Sequence, residues 1–240
     1  MNGRQHSPAA HSEAPVPGSG QDDGQCEEYE VPEPTADELR AARQYFGDRQ
    51  KLAERFVEHL CTTGIEHGLL GPREVPRMWS RHLLNCAALA PELPPGGDIA
   101  DVGSGAGLPG IALAIARPDC HVTMVEPMER RIQWMDTVAK DLGLENVELI
   151  RARAEEVTDE VMADVVTARA VSSLKTLIPM TAPLMAEDAR LMLLKGRSAQ
   201  DEIAAAHKVI QKHKLARPAV HTLGDGVLET PTTVVVCSRR

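Results

Sequence analysis

The chain has 240 residues, 42% of them hydrophobic and 25% charged, with a net charge of −9. That length fits one compact α/β domain with an extension, and no stretch reaches the ~18 uninterrupted apolar residues of a membrane helix. The N-terminus lacks the apolar core of a signal peptide, so a soluble, cytoplasmic protein is expected.

The charge is unevenly placed. Residues 1–38 carry nine acids against Arg4 alone, leaving 26 acids and 25 bases in the rest. The nearly neutral remainder neither excludes nor indicates a nucleic-acid partner. Five scattered cysteines (Cys26, Cys61, Cys86, Cys120, Cys237) form no CxxC pair and have no histidine at zinc spacing. Reduced packing thiols are expected, and no metal.

Residues 1–34 are rich in Pro, Gly, Ser, Gln and acids and almost empty of large apolar side chains. Such a segment cannot offset its ordering entropy by burial, and a disordered acidic tail is predicted. Order is expected from Thr35, where Thr-Ala-Asp-Glu fits a capping box. Leu39, Ala42, Phe46, Ala53, Phe56, Val57 and Leu60 follow helical spacing, with Gly47 as a break. A second helix is expected to start near Pro76, carry Met78, Trp79, Leu83, Leu84 and Ala87 inward, and end before Pro91. Residues 35–95 therefore read as an N-terminal helical cap.

From residue 98 short apolar runs alternate with amphipathic ones. The runs 99–102, 122–125, 147–150, 165–167 and 191–194 read as buried strands, and 108–116, 129–142, 174–186 and 198–213 as helices. The segments 218–223 and 232–238, around Gly224-Asp225-Gly226, read as an antiparallel hairpin at one edge. The fold class is thus α/β, a Rossmann-like domain over 96–240 whose sheet is mostly parallel, with a C-terminal antiparallel hairpin.

The chemistry concentrates at the ends of these strands. Asp101, Gly103, Gly105, Gly107 and Gly110 follow the first strand and open a helix, as a ligand-approaching turn requires. Glu126, ending the second strand, can accept both hydroxyls of an adenosine ribose, in a dinucleotide or an S-adenosylmethionine site. The GxGxG spacing after an acid is typical of methyltransferases, whereas dinucleotide sites use GxGxxG. Ala154 and Glu155, beyond the third strand, would lie beside an adenine ring. Arg169 ends the fourth strand, at the edge where open α/β sheets bind ligands; a surface salt bridge is its alternative reading. The chain has no Asp/Asn-Pro-Pro-aromatic run after the fourth strand and no Pro-Cys nucleophile, which argues against exocyclic-amine methylation and covalent attack on a pyrimidine.

On these residues the chain, from about 73 to 196, resembles the RsmG (GidB) family of bacterial small-subunit (16S) ribosomal RNA guanine-N7 methyltransferases. The resemblance rests on Pro72-Arg-Glu74, Arg81-His82-Leu-Leu, the run Asp101 to Gly110 with its Gly-Leu-Pro-Gly ending, Arg130-Arg131, Arg153-Ala154-Glu155-Glu156, Arg169-Ala170 and Leu194-Lys195-Gly196. It implies a Rossmann-like S-adenosylmethionine-dependent methyltransferase, with ribosomal RNA or the assembled small subunit as partner. It places Gly103 and Leu108 at the methionine side, Ala154 and Glu155 at the adenine side, and Arg169 at the cofactor or target pocket. It also brings His82, Arg130, Arg131 and Lys195 toward RNA, and makes Arg169 and His82 the residues nearest the chemistry. Asn85-Cys86 stands where many members carry Asp-Ser, Ala112 where many carry Pro, and Glu126 where many carry Asp. A packed helix histidine is the other reading of His82. Arg73, Arg77 and Arg81 recur every four residues, as an RNA-binding stripe or a solvated face. Trp79 and Trp134 read as core. Two rivals stay open: a small-molecule methyltransferase with an apolar pocket built largely from the cap, and a catalytically silent adenosine-nucleotide or RNA-binding module.

Overall fold

The computed structural model describes residues 30–169 and 172–240; residues 1–29 of the acidic segment, and Ala170 of the Arg169-Ala170 motif, lie outside them. Helix α1 (Ala36–Phe46) opens with the capping box: the Thr35 hydroxyl accepts from the Glu38 amide at 3.2 Å, and the Glu38 carboxylate accepts from the Thr35 amide at 2.8 Å. Gly47, at φ +51°, ends it. A 3₁₀ turn then leads into α2 (Gln50–Cys61) and the short α3 (Thr63–Glu66). Leu39, expected inward, is among the exposed large apolar residues. The buried stripe of α1 is Ala41, Ala42, Tyr45 and Phe46. At ~100° per residue Leu39 lies roughly 90° from the centre of that stripe.

The helix expected to start at Pro76 is built differently. Pro72–Arg77 form a 3₁₀ turn with Pro76 inside it, Met78–Leu84 a π-helical segment, and only then comes α4 (Asn85–Ala87). The widened turn buries Met78, Trp79, His82, Leu83 and Leu84 together. Such π-turns recur at functional sites.

Residues 30–34, read from the sequence as part of the tail, lie against the cap. The Trp79 indole N–H donates to the Pro32 carbonyl at 3.0 Å, and Val31 packs on the core. Aromatic N–H groups need a partner when buried, which sequence composition does not reveal. A chain beginning at Pro34 is expected to be about 1–2 kcal/mol less stable than one beginning at Glu30, from one hydrogen bond and partial apolar burial. That corresponds to melting roughly 2–8 °C lower by calorimetry; equal melting points would show the contact to be incidental.

The sheet has seven strands in the order β3-β2-β1-β4-β5-β7-β6. β1 (Asp98–Val102), β2 (His121–Val125), β3 (Val147–Ile150), β4 (Ala163–Arg169) and β5 (Met185–Lys195) are parallel, while β7 (Thr232–Ser238) runs antiparallel to both β5 and β6 (Ala219–Leu223). Between them lie α5 (Gly110–Ala116), α6 (Glu129–Asp141), α7 (Leu174–Thr181), α8 (Ala199–Ala205) and α9 (His207–Lys212). The helix expected over 174–186 stops at Thr181, because a 3₁₀ turn containing Pro183 ends it and β5 begins at Met185, earlier than the apolar run implied.

Alternation along the strands divides the core. Ile99, Val122, Met124, Val165 and Val234 share one cluster with α1, α2, the π-segment and α5. Ala100, Val102, Val166, Leu191 and Val235 share the other with α7, α8 and α9. The cap thus completes one face of the sheet. Among the described residues no helix is long and apolar enough to cross a membrane. Strand order reverses between β1 and β4, which opens a crevice at the carboxyl ends of the strands.

Candidate functional site

That crevice is a cavity of about 460 Å³. Its walls are the β1–α5 loop (Val102 to Ala106, and Leu108), the end of β2 (Val125 to Pro127, with Arg131), the loop after β3 (Ala152 to Glu155) and Arg169 ending β4. Leu69 and Leu70 of the cap and Met180 of α7 complete it.

The β1–α5 loop is held by the backbone. The Gly103 amide donates to the Val125 carbonyl at 2.8 Å, and the Gly110 amide to Asp101 Oδ2 at 2.9 Å. At Gly107 φ is +71°, and a Cβ would lie 2.4 Å from Ile111 Cδ1, so glycine is demanded by both conformation and space.

Of the residues singled out in the sequence, Gly103, Gly105, Leu108, Glu126, Ala154, Glu155, Arg131 and Arg169 line the cavity. Asp101 and Gly107, expected at the ligand, do not; they stand behind the loop and shape it. Asp101 is fully buried, Oδ1 has no partner among the described residues, and burial pushes its carboxyl up to about 7 despite the Gly110 amide.

Glu126 ties three elements together. Oε2 accepts from the Gly105 amide at 3.1 Å, Oε1 from the Met128 amide at 3.0 Å, and Arg131 Nη1 lies 3.3 Å from Oε2. Its side chain is 3% exposed. Arg131, expected at RNA, is therefore the counter-ion of the cavity's own acid, whereas Arg130 is exposed on the first turn of α6. Lys195, also expected at RNA, is half-buried with its side chain turned inward: its Nζ lies 2.9 Å from Glu202 and donates to the Ser172 carbonyl. Arg77 and Arg81 are exposed, and both face Glu74, at 2.8 and 3.9 Å.

His82 and Arg169 meet. Arg169 Nη2 donates to His82 Nδ1, and its Nη1 reaches the His82 carbonyl at 3.4 Å and Cys86 Sγ at 3.3 Å. A guanidinium has only donors, so Nδ1 must accept; Nε2 then carries the proton and donates to Glu74 Oε2 at 2.8 Å. Burial, then the Arg169 charge, hold the imidazole down to about 4 against the pull of Glu74. At neutral pH His82 is uncharged with both nitrogens engaged.

Sequence reasoning missed Leu69, Leu70 and Met180, which carry no motif, and the roles of Glu74 and Cys86. Glu74 was visible only as a letter of the Pro-Arg-Glu run. Among the described residues no cluster of three potential metal ligands occurs, and Cys61, Cys86, Cys120 and Cys237 are free and buried.

Comparison with known proteins bears on this site. The family model described as rRNA small subunit methyltransferase G (GidB) matches residues 49–230, which include every wall of the cavity. The chain belongs to that family. A "Ribosomal RNA small subunit methyltransferase G" from Pseudarthrobacter chlorophenolicus is 57% identical over 201 residues, covering 84% of this chain and 93% of its own. The protein of the same name from Salinispora tropica is 47% identical over 206 residues, covering 83% and 85%. Among solved structures, a ribosomal protein L11 methylase from Lactobacillus delbrueckii subsp. bulgaricus superposes with a TM-score of 0.50 at 15% identity, over 65% of this chain and 77% of that one. With the strand order above, this GidB-family chain has the Rossmann-like methyltransferase fold.

Proposed function

We propose that the chain transfers a methyl group from S-adenosylmethionine to N7 of a guanine in the 16S RNA of the small ribosomal subunit, as naked RNA or in the assembled particle. The observation that carries the reading is a cavity where a glycine loop, a buried carboxylate and a small-residue loop meet Arg169, in a chain of this family.

The residues fit the cofactor. The cavity volume is that of a small-molecule site. Ala152 and Ala154 leave room for a flat ring. Each carboxylate oxygen has two lone pairs; Oε2 already holds the Gly105 amide and Arg131, and Oε1 the Met128 amide, so the acceptor capacity left for a ribose hydroxyl lies on Oε1. The Gly103–Gly105 backbone can approach the amino-acid end closely.

When bound, the cofactor supplies an electrophilic sulfonium methyl. Guanine N7 carries an in-plane lone pair and no proton, so the protein has to align the acceptor and need not remove a proton. The state of His82 suits this: neither ring nitrogen is free to act as a base. Arg169, anchored on His82 and Cys86, orients the target or cofactor by hydrogen bonding. Of the cations singled out in the sequence, Arg73, Arg77, Arg81 and Arg130 are exposed and within reach of phosphate. The small-molecule reading needs an apolar pocket built largely from the cap, and the cap supplies Leu69 and Leu70 to these walls.

Mapping methylated nucleotides in ribosomal RNA from cells with and without the protein tests the reading. One N7-methylguanine in 16S RNA is expected to disappear; an unchanged pattern would refute it. At saturating substrates kcat is expected to show no step across ~pH 6–8 that His82→Asn removes, because His82 is held down to about 4 and the acceptor has no proton to lose. The Asp101 carboxyl behind the glycine loop, pushed up to about 7, is the group that titrates there. A steep rise through that window that His82→Asn abolishes would point to a different methylated atom.

A further inference from the structure

We propose that Glu74 is a positioning residue for Arg169, acting through His82, and that its ion pairs with Arg77 and Arg81 link phosphate binding at the surface to the cavity. The second half rests on the reading that the substrate is RNA.

The groups form a chain from solvent to cavity. Arg77 and Arg81 have side chains 49% and 63% exposed, Glu74 28% and His82 5%. Glu74 Oε1 takes Arg77 Nη2 at 2.8 Å, and Oε2 takes His82 Nε2 at 2.8 Å with Arg81 Nε at 3.9 Å. His82 Nδ1 then accepts from Arg169, which lines the cavity. The 3₁₀ turn Pro72–Arg77 brings Glu74 against His82, and the π-helical segment presents Arg81 and His82 as neighbours.

Glu74 and Arg169 hold one tautomer between them, and the carboxylate secures the Nε2 half of it. With an acceptor at Nε2 the proton stays there, and Nδ1 is left as a lone pair for Arg169. Without it, a buried N–H has no partner and the ring can exchange tautomers, at which point Nδ1 repels the guanidinium. The near end is a competition. A phosphate docking on Arg77 and Arg81 draws them from Glu74, whose charge is then left to His82. By linkage, what tightens Arg169 for RNA also tightens it for the cofactor.

The test compares Glu74→Gln, whose amide oxygen still accepts from His82 but carries no charge, with Glu74→Ala. In the cofactor-free protein, ¹⁵N spectra of the His82 ring are expected to show the Nε2-protonated tautomer in the wild type and in Glu74→Gln, and a mixture in Glu74→Ala. kcat should fall at least ~tenfold in Glu74→Ala, in a protein that still unfolds cooperatively but melts roughly 2–8 °C lower, and return to within ~threefold in Glu74→Gln. A ribosomal RNA fragment should tighten S-adenosylmethionine binding at least ~threefold in the wild type, and not in Glu74→Gln. A wild-type tautomer or kcat in Glu74→Ala, or equal losses of kcat in both variants, would overturn the positioning role. An RNA effect that survives in Glu74→Gln would overturn the linkage. If Glu74→Ala does not fold, Glu74→Gln decides alone: a mixed tautomer or a tenfold loss of kcat in it sinks the proposal. Absence of RNA methylation by the wild type would instead remove the proposed function, and the ring spectra would still decide the positioning.

Discussion

Glu126→Ala is expected to weaken S-adenosylmethionine binding by about 100-fold, measured by calorimetry on the purified protein. Hydrogen bonds to a charged acceptor contribute ~1.5–3 kcal/mol, or roughly 10–100-fold in affinity. The structure moves the expectation to the upper end. Glu126 also holds the Gly105 amide of the glycine loop and the Met128 amide at the start of α6, and it neutralises Arg131. Truncation therefore removes the ribose acceptor and releases the loop that shapes the other half of the cavity. Two amides and one arginine lose their partner, so a stability loss of about 1–3 kcal/mol should accompany the effect. Glu126→Gln does not restore binding, because its NH₂ group would face one of those amide donors. Unchanged affinity in Glu126→Ala would remove this residue from the site.

Gly110→Ala is expected to destabilise the fold by about 3–5 kcal/mol, a large share of the ~5–15 kcal/mol that holds a domain folded. A Cβ there would lie 2.4 Å from Met124 Sδ, 2.6 Å from Met124 Cγ and 2.9 Å from Asp101 Oδ2. Met124 is fully buried on β2, so it has no open space to enter. Overpacking of this kind costs about 1–3 kcal/mol. Pushing Asp101 away from the Gly110 amide adds the penalty of a buried carboxylate whose other oxygen already has no partner. Urea titration should show a much lower midpoint with the slope unchanged. A midpoint near the wild type would mean that Met124 repacks freely and that the loop tolerates a side chain there.

Much of this was legible in the chain. The capping box at Thr35 and Glu38, the break at Gly47 and the turn after β1 depend on residues within one or two turns of each other, and their conformational demands are written in residue type. Glycines at positive φ and a proline that ends a helix need no distant partner to exert their effect. Most strands and helices of 98–238 follow from periodicity for the same reason, although the helix expected over 198–213 divides at Ala206 into α8 and α9. Pro183 shows the limit: the apolar pattern of 174–186 runs on past two prolines, and α7 carries Pro179 inside it but stops before Pro183, a choice that residue type alone does not make.

The roles of the charged residues were a different matter. As letters, Arg77, Arg81, Arg131 and Lys195 looked alike, a set of cations suited to RNA. In the fold Arg131 faces Glu126, Lys195 is paired with Glu202, and Arg77 and Arg81 share Glu74. His82 and Arg169, 87 residues apart, became one hydrogen-bonded unit, and Pro32 became the acceptor for Trp79. The amino-acid sequence determined the element order, the glycine loop and, through its motifs, the family. Only the tertiary structure decided which cations face solvent, which acids hold them, and that the cap supplies Leu69 and Leu70 to the cavity. Backbone preference acts over a few residues, whereas an ion pair or hydrogen bond acts over about 3–4 Å of space. Which groups come that close is set by the packing of helices onto a sheet, and no local pattern encodes it.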